Sequence, residues 1–524
     1  MHNKNSVRLS VFNLYVAHEA GSTLVYNTYS GGFVSLDDDT LAVLKKADGG
    51  SELADDERAL VDPDYFDASV GILVESREAE ERDFRAWFER LKSNPRKLSC
   101  IVSITFACNF DCTYCCQADV LNGRMMNAAN GARTAEWLAA RALEIGAPEI
   151  QLDFVGGEPL LHPDRIEQIL ADIRRLAPEV KLSFRLITNG YYLSRELVER
   201  WVPLGLTGAQ VTLDGDESTH SQTRVSKKKG EDSFARIFAN VVDVSPLIAI
   251  TINGNYQTDT VHGFVPLLDK LREAGFKSGS RVSFSPALTA LGAPSDAASG
   301  SCLWSGSSPE LMIALGDEIW KHGFNAGDPV SVGPCSFHQK HAFAIDPEGN
   351  IYKCPGFLGK TGWAIGHVET GLTARYDGLA NHNPQRLCGS CAHRPECAGG
   401  CVAALWIESG RVEGVNCEIQ FFEKHRDELI QRKYALAVAD DLPEAVAMFP
   451  KSTVEIPRAP GRRSSALRVL AAAWSLGGHS GESNDDDQAD EEDREGHQEG
   501  QSRDAVQADL RGGCVSYDRR ACHV

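Results

Sequence analysis

The chain lacks a long apolar run. No stretch of about 18 apolar residues, the length that a helix needs to cross a bilayer, occurs among its 524 residues. The first residues, Met1 to Ser6, lead into an ordinary strand-like segment and show no signal-peptide pattern. The sequence therefore predicts a cytoplasmic protein with no membrane partner.

Positive charge is also scarce. The chain has 53 Lys and Arg against 73 Asp and Glu, a formal net charge of -20, which disfavours nucleic acid as a partner. Many acids crowd between residues 482 and 499 around a single Arg494. This aromatic-poor segment cannot bury enough apolar surface to offset its ordering entropy, so we predict a largely disordered tail over 436–524.

Cysteine is present in two groups, of which the first is Cys108, Cys112 and Cys115 in a C-x3-C-x2-C run. Three thiolates at this spacing can hold three corners of a four-iron cluster and leave the fourth iron open to another ligand. Zinc sites and two-cluster ferredoxins group cysteines as closely, so the spacing alone leaves these alternatives open. Cys100 and Cys116 fall outside the spacing and are interpreted as buried thiols.

Apolar runs alternate with helical patterns from about residue 100 to 325. The predicted strands are 101–106, 150–155, 182–187, 209–213, 247–252 and 281–285. The predicted helices are 132–145, 163–175, 194–202, 233–243, 260–274 and 308–323. This alternation predicts an α/β fold, a partial (β/α)6 barrel of the TIM type. An incomplete barrel leaves a lateral opening through which a peptide can enter.

Polar motifs follow three of these strands. Gly156-Gly157-Glu158 would let the ammonium of a ligand approach the backbone beside a carboxylate, although a tight turn is the alternative. Thr188-Asn189-Gly190 and Thr212-Leu213-Asp214-Gly215 close two further strands. Because the carboxyl ends of barrel strands form the ligand-binding rim, we expect these motifs to line one site.

With these motifs, residues 100 to 325 resemble the radical S-adenosylmethionine (radical SAM) enzymes. The resemblance implies that Cys108, Cys112 and Cys115 bind a [4Fe-4S] cluster whose open iron chelates the amino and carboxylate groups of S-adenosylmethionine. Reductive cleavage would then give a 5'-deoxyadenosyl radical. An electron donor such as flavodoxin or ferredoxin is an implied partner.

The same resemblance implies contacts to S-adenosylmethionine along the rim. It puts Tyr114 and Leu288 near the adenine, and Gly157 and Glu158 at the methionine ammonium.

It also puts Thr212 near the ribose or carboxylate and pairs Arg224 with the carboxylate, with a solvated loop arginine as the alternative for Arg224. The expected cofactor-binding residues are Tyr114, Gly156, Gly157, Glu158, Thr188, Asn189, Thr212, Asp214, Arg224 and Leu288.

The second group is a cysteine-rich segment over residues 335–417. Its seven cysteines are Cys335, Cys354, Cys388, Cys391, Cys397, Cys401 and Cys417. A disulfide network conflicts with an open-iron cluster, which needs a reducing compartment. A four-cysteine zinc knuckle formed by Cys388, Cys391, Cys397 and Cys401 stays an alternative on spacing alone.

The whole seven-cysteine pattern resembles the SPASM extension of peptide-modifying radical enzymes. By that resemblance, auxiliary cluster II is bound by Cys388, Cys391, Cys397 and Cys417. Auxiliary cluster I is bound by Cys335, Cys354 and Cys401.

Two positions depart from the fully ligated members, such as the anaerobic sulfatase maturases. His341 stands where those proteins have an eighth cysteine, so cluster I either has an open iron or is closed by His341 or another group; a plain loop residue is the alternative. Pro355 stands where they have a catalytic aspartate, so sulfatase maturation is not expected and the catalytic residue is unknown. Asp346 and Glu348 are expected to be hairpin-turn residues.

Residues 1–95 have a pattern of their own, with strands near 9–16, 23–27 and 33–36, a capped helix after Asp37 and a returning strand near 70–74. This arrangement resembles the small winged-helix peptide-recognition domains of ribosomal peptide maturation, and an α+β cap on the barrel is the alternative. A charged amphipathic helix over 78–97 connects it to the barrel. The expected domains are 1–95, 96–325, 326–435 and 436–524.

The last residues place Gly512-Gly513 before a short peptide that contains Cys514, Tyr517 and Cys522. This resembles the leader-core junction of a peptide precursor, so a fused substrate is one hypothesis and a tail with two spare thiols is the other. The resemblances together predict a radical SAM peptide maturase that forms a thioether, another cross-link or an epimerised residue. A maturase of a folded protein, and an iron-sulfur electron carrier or redox sensor, remain the alternatives.

Overall fold

A computed structural model describes most of the chain up to residue 456. The described residues are 8–18, 21–60, 70–115, 117–228, 230–257, 259–286, 309–330, 335–381, 383, 387–402, 405, 409–411, 414–417, 419–452 and 454–456. Several residues singled out from the sequence lie outside these ranges, namely Cys116, Leu288, Cys514, Tyr517 and Cys522.

The amino-terminal part combines a three-stranded antiparallel sheet with a two-stranded pair and three helices. Its elements are β1 (Arg8–Leu9), β2 (Asn13–Ala17), β3 (Ser22–Asn27), β4 (Phe33–Asp37), α1 (Asp38–Asp48), α2 (Asp55–Leu60), β5 (Leu73–Val74) and α3 (Arg77–Ser93). Strands β2, β3 and β4 pair in that order, and β5 returns to pair with β1. Helix α1 begins after Asp37, whose carboxylate accepts a hydrogen bond from the Thr40 N–H at 2.7 Å. The strands predicted near 23–27 and 33–36, the capped helix, the returning strand and the connecting helix occur here, whereas the strand predicted near 9–16 is divided between β1 and β2 of two separate sheets.

The central part alternates strands and helices. Its elements are β6 (Leu98–Thr105), β7 (Phe110–Cys112), α4 (Ala128–Ile145), β8 (Glu149–Gly156), α5 (Pro163–Leu176), β9 (Lys181–Thr188), α6 (Arg195–Trp201), β10 (Leu206–Thr212), α7 (Glu217–Thr223), β11 (Arg224–Ser226), α8 (Ser233–Val244), β12 (Ala249–Tyr256), α9 (Phe264–Glu273), β13 (Val282–Pro286) and α10 (Pro309–Lys321). Six parallel strands lie side by side in the order β6, β8, β9, β10, β12 and β13. The predicted α/β alternation is confirmed.

The helices cover the sheet through apolar stripes that the sequence encodes. In α5 the buried residues are Ile166, Ile169, Leu170 and Ile173, spaced so that they share one face of the helix. They join the strand side chains of one large core. The crossovers leave the carboxyl ends of all six parallel strands at one edge, where the polar motifs begin.

Four further strands extend this sheet beyond β6. They are β14 (Ala342–Ile345), β15 (Asn350–Tyr352), β16 (Gly366–His367) and β17 (Gly371–Leu372). Strand β14 pairs with β6 in parallel, and the other three follow in antiparallel order. Among the described strands, β13 and β17 form the two ends of a ten-stranded sheet and do not pair with each other, so the sheet is open.

The carboxyl-terminal part is helical. Its helices are α11 (Ala374–Ala380), α12 (Arg394–Cys397), α13 (Ile419–Val438) and α14 (Leu442–Ala447). Helix α13 crosses the boundary expected at 435/436, and Ile456 packs against the main core. The ordered chain therefore extends past that boundary, because apolar residues that follow it still find a surface to cover.

Short 3-10 turns connect several of the elements. They cover Pro159–Leu161, Val261–Gly263, Pro355–Phe357 and Thr361–Trp363. Within the residues that the structure describes, no helix has both the length and the apolar character to cross a membrane.

Candidate functional site

The three cysteines of the first motif lie in the loop after β6. The Phe110 N–H donates to the Cys108 Sγ at 3.4 Å, and the Cys115 N–H donates to the Cys112 carbonyl at 3.2 Å, which tightens the turn between them. Burial raises the pKa of Cys108 to about 11 and raises that of Cys112. A thiol with a raised pKa stays protonated at neutral pH unless a nearby cation stabilises the thiolate, and coordination to a metal deprotonates it outright.

The glycine pair after β8 brings the rim backbone against this loop. The Gly157 N–H donates to the Thr105 carbonyl at 2.8 Å, and the Glu158 N–H donates to the Ala107 carbonyl at 2.9 Å. A Cβ added at Gly157 would lie 2.3 Å from the Ala107 oxygen and 3.0 Å from the Cys108 Cβ. The close approach that the structure shows at this motif is that of the rim backbone to the cysteine loop.

Glu158 organises the second polar motif. Its buried carboxylate accepts hydrogen bonds from the Thr188 hydroxyl at 2.7 Å and from the N–H groups of Asn189 at 2.8 Å and Leu160 at 2.9 Å. Burial raises its pKa. The Asn189 side chain also donates to Asn109 at 2.7 Å, which connects this motif to the cysteine loop.

A third network joins Tyr114, between the second and third cysteines, to the rim. Its hydroxyl donates to the buried Asp214 carboxylate and accepts from Arg224 at 2.8 Å and from Asn255 at 3.2 Å. The Asn255 N–H also donates to Asp214 at 2.8 Å. Four residues that are separated in the sequence thus form one continuous cluster of polar groups: Tyr114, Asp214, Arg224 and Asn255.

Arg224 reaches this network from β11, which pairs with β7 so that Arg224 stands opposite Cys112. The side chain is 8% exposed, lies 4.0 Å from Asp214, and has a buried Nε without a hydrogen-bond partner in the described part of the chain. Burial works to lower the pKa of Arg224, but Tyr114, Cys112 and Asp214 outweigh it and raise the pKa. The solvated-loop alternative for Arg224 is wrong.

Three further residues were expected at the site, namely Gly156, Thr212 and Leu288. Gly156 ends β8 at the turn, and Thr212 ends β10, paired with Asn253 in the sheet. Leu288 lies outside the described residues.

Three residues of the site were missed from the sequence. Asn109 and Asn255 donate or accept within the networks above, and the Asp214 N–H donates to the Nδ1 of His220 at 3.3 Å. His220 is buried, its Nε2 has no partner among the described residues, and burial lowers its pKa well below the ordinary value. Asn255 is the penultimate residue of β12, so its position near the carboxyl end of a parallel strand was the one available signal.

The cysteine-rich segment separates into two sets in space. The first set lines one small cavity, together with His393 and Phe422: Cys388, Cys391, Cys397 and Cys417. Burial, followed by the charges of the other three thiolates, raises the pKa of Cys388 to about 12. These are the four cysteines that the resemblance assigns to auxiliary cluster II.

The second set comprises Cys335, Cys354 and Cys401, which the resemblance assigns to auxiliary cluster I. Burial, with smaller contributions from the neighbouring charges of Cys335 and Cys401, raises the pKa of Cys354 to about 12. Lys353 lies beside these thiols with 1% of its surface exposed, and its ammonium donates to the carbonyls of Gln339 and Ala342. In the described structure no ion pair joins Lys353 to a carboxylate, and the negative charges of the Cys335 and Cys354 thiolates are the ones that favour its ammonium.

A single zinc ion fits this arrangement poorly. No three His, Cys, Asp or Glu side chains of the described residues are grouped closely enough to hold one metal ion. Cys401, which the zinc knuckle needs, interacts with Cys335 and Cys354 and is absent from the cavity of the first set.

The structure also describes His341 and Pro355, the two positions at which the sequence departs from the pattern of the sulfatase maturases. The Nδ1 of His341 is buried without a partner among the described residues, and burial lowers its pKa, helped by Arg141 and Lys353. Pro355 begins a 3-10 turn.

Asp346 is a hairpin-forming residue, as expected. Its carboxylate accepts from the N–H groups of Glu348 and Asn350 and from the Tyr352 hydroxyl.

Comparison with known proteins gives one family match: residues 102–285 match the Radical SAM superfamily. Among curated proteins, the GTP 3',8-cyclase of Klebsiella pneumoniae is 34% identical over 145 residues, which are 27% of this chain and 40% of the cyclase. The GTP 3',8-cyclase of Pectobacterium atrosepticum is 32% identical over 147 residues, again 40% of its length. The chain thus matches less than half the length of these curated relatives.

Solved structures give more extended but more distant likenesses. The chain is 18% identical to anSMEcpe with bound AdoMet and a peptide, with a TM-score of 0.49, covering 64% of this chain and 99% of that one. It is 15% identical to Streptococcus suis SuiB bound to the precursor peptide SuiA, with a TM-score of 0.44, covering 79% of this chain and 99% of that one.

Proposed function

We propose that this chain, whose residues 102–285 match the Radical SAM superfamily, is a radical SAM maturase that modifies a ribosomally made peptide. Domains of this superfamily act in enzymes that use a [4Fe-4S] cluster and S-adenosylmethionine. Reductive cleavage of S-adenosylmethionine to a 5'-deoxyadenosyl radical is the chemistry that the bound cluster supplies. The chain itself binds and orients the cofactor and excludes water around it.

One observation carries the cofactor assignment: the loop of Cys108, Cys112 and Cys115 lies directly against both the Gly157 turn and the Tyr114 network. These three thiols are the proposed cluster ligands. Because a Cβ at Gly157 would collide with the loop, the glycine keeps cluster and rim close enough for one ligand to contact both.

The two buried charges at the rim are complementary to the carboxylate and ammonium groups of an amino acid. Arg224 is a buried cation with an unpartnered Nε beside Cys112, and it would hold a carboxylate of the cofactor. Glu158 is a buried carboxylate whose three donors are all neutral, so an ammonium would supply the missing positive charge. We propose that Tyr114 and Asp214 keep Arg224 oriented for this contact.

The peptide substrate is proposed from the cysteine-rich segment. Its two spatial sets, Cys388/Cys391/Cys397/Cys417 and Cys335/Cys354/Cys401, support two auxiliary [4Fe-4S] clusters of the SPASM type. Such clusters could accept the electron released when a peptide radical closes a new bond. The described ten-stranded sheet is open, with β13 and β17 as its two ends, and we propose that a peptide enters from the side of this open sheet and that residues 1–95 recognise it.

Two other substrates and one other class of protein compete with this proposal. The curated relatives are named for a reaction of GTP, so a nucleotide substrate is a specific alternative, and a folded protein is another. An iron-sulfur electron carrier would hold the clusters without turnover.

The test is anaerobic reconstitution of the full chain, followed by iron counting and reductant-driven cleavage of S-adenosylmethionine. About twelve irons per chain and formation of 5'-deoxyadenosine are expected for three clusters. A Cys112→Ala variant, which removes one ligand of the first cluster, should keep about eight irons and form no 5'-deoxyadenosine. About four irons in the full chain would refute the auxiliary clusters, and absence of cleavage would favour an electron carrier.

The substrate is tested in the same reaction by mass spectrometry of residues 504–524 and by addition of GTP. A change of mass at Cys514, Tyr517 or Cys522 that requires S-adenosylmethionine would identify the tail as a substrate. A chain that ends at residue 456, the last described position, should then lose the product. Conversion of GTP would contradict the peptide proposal.

A further inference from the structure

His338 occupies a position between the two sets of auxiliary cysteines. It is buried, with 5% of its surface exposed, in the loop three residues after Cys335. The Cys335 N–H donates to its Nδ1 at 3.2 Å, and the Cys335 Sγ lies 3.6 Å from the same nitrogen. The imidazole therefore contacts both the backbone and the sulfur of a proposed cluster ligand.

The other ring nitrogen of His338 reaches a different segment. Its Nε2 lies 3.1 Å from the carbonyl oxygen of Ala398. Because a carbonyl only accepts, Nε2 carries the proton, and Nδ1 is left as the acceptor for the Cys335 N–H. Both nitrogens are thus engaged, and the ring orientation is fixed.

Ala398 lies on the segment that supplies ligands to both proposed clusters. It directly follows Cys397 of the first set and precedes Cys401 of the second by three residues. Its φ of 51° is the one positive value at a non-glycine residue in the described chain, so the carbonyl is turned at some cost in backbone strain. A strained residue persists only where its surroundings hold it, and His338 is one of the contacts that hold it.

We infer that His338, and not His341, is the imidazole that acts on the auxiliary centres, as a positioning residue that fixes Cys335 relative to the Cys397–Cys401 segment. This inference rests on the proposed auxiliary clusters. His341 faces another part of the molecule: it lines a cavity with Trp87, Gln339 and other residues of 86–97, none of which is a cysteine, and its carbonyl accepts from the Ser99 N–H of β6 at 2.9 Å. The eighth-cysteine position is therefore tied to the barrel sheet.

The test uses the full chain with Cys108, Cys112 and Cys115 replaced by alanine, so that only auxiliary clusters contribute iron and spectra. In this background, His338→Ala and His338→Gln are compared with His341→Ala. The readouts are iron content, the rate of iron release to a chelator and the electron paramagnetic resonance spectrum after reduction. Circular dichroism checks that each variant is folded.

The parent should retain about eight irons. His338→Ala should release iron at least about tenfold faster and show altered spectra, because groups that orient metal ligands commonly account for 10- to 100-fold in metal affinity. The side-chain amide of His338→Gln can donate to Ala398 or accept from Cys335. This variant should therefore release iron at a rate between those of the parent and of His338→Ala. His341→Ala should match the parent.

Equal behaviour of His338→Ala and the parent, or a loss of iron confined to His341→Ala, would overturn the inference while leaving the clusters in place. A strong nitrogen coupling to the reduced cluster, lost in His338→Ala, would make His338 a direct ligand and would also overturn the positioning role. A parent without iron would overturn the inference together with the auxiliary clusters themselves.

Discussion

At the scale of single residues, Arg224 shows which parts of the site a linear sequence can reveal. The resemblance to radical SAM enzymes implied a cofactor contact for Arg224, and the structure puts this residue opposite Cys112. Asn255, which completes the same network, is 141 residues from Tyr114 in the chain. No local pattern links two residues so far apart, so the cysteines and glycines were predictable and their hydrogen-bond partners were not.

Replacing Tyr114 by phenylalanine should weaken binding of S-adenosylmethionine. The change keeps the ring but removes the hydroxyl that joins Asp214, Arg224 and Asn255. Hydrogen bonds to charged groups contribute about 1.5–3 kcal/mol, so we expect a loss of roughly tenfold or more in affinity, measured by equilibrium dialysis against the reconstituted protein. Tyr192→Phe, at an exposed tyrosine, is the matched control. Unchanged affinity in Tyr114→Phe would exclude a role for this network in binding.

The buried His220 should make the stability of the protein sensitive to acid. Burial lowers the pKa of His220 well below 6.5. Below about pH 6.5 this imidazole is therefore protonated in the unfolded chain but still neutral in the folded chain. The free energy of unfolding should therefore fall as the pH falls, by up to about 1.4 kcal/mol per pH unit from this group. The thermal midpoint of the wild type, measured from pH 7.5 to 5.5, should fall more steeply than that of His220→Asn. Parallel curves for the two proteins would contradict this assignment.

At the scale of elements, the parallel strands were predicted and the additions to them were not. Each of the six parallel strands contains an apolar run that is long enough to be distinguished from the flanking sequence. The observed bounds of these strands differ from the predicted ones by a few residues. By contrast, β7 and β11 have three residues each, and β14 pairs with a strand more than 240 positions away. Strands this short carry little periodicity, and distant pairing leaves no local signal.

The turn after β8 gives a prediction at this scale. Gly157→Ala should displace the cysteine loop, because its Cβ would lie 2.3 Å from the Ala107 oxygen and backbone cannot yield as a flexible side chain does. The variant should lose about four of roughly twelve irons and its cleavage of S-adenosylmethionine. Both are measured after anaerobic reconstitution.

Gly378→Ala is the control, since a Cβ in α11 would meet nothing within 4 Å. That substitution should leave iron content unchanged and add up to about 0.5–1 kcal/mol of stability. A full complement of iron in Gly157→Ala would show that the loop tolerates displacement.

At the scale of the whole molecule, the amino-terminal domain packs on the proposed auxiliary-cluster region. The Tyr26 hydroxyl donates to Glu396, and apolar residues of β2 and β3 pack against Phe422 and Leu429 of α13. Arg394, with 3% of its side chain exposed, pairs with Glu81 of α3 at 2.8 Å. A domain proposed to recognise the substrate is therefore in contact with the segment that would bind the clusters.

Glu81→Ala should loosen this contact on both sides. It leaves the Arg394 charge buried without its carboxylate, and because Glu81 itself is 30% exposed we expect a cost of about 1–3 kcal/mol. Hydrogen exchange followed by mass spectrometry should show amides of α3 and of residues 388–401 exchanging about tenfold faster. Glu78→Ala, at an exposed position of the same helix, should leave both segments unchanged. Faster exchange in α3 alone would mean that the two regions open independently.

The pairing of β14 with β6 has a practical consequence for anyone who wishes to work with the barrel by itself. Strand β6 is flanked by β8 on one side and by β14 on the other, so a chain shortened before residue 342 would expose a long row of unpaired backbone groups in the middle of the natural sheet. Exposed strand edges of this kind recruit other copies into aggregates. Insolubility of such a fragment would therefore result from the missing strand β14. The six parallel strands and the cysteine-rich segment are better expressed, and exchanged between proteins, as a single unit.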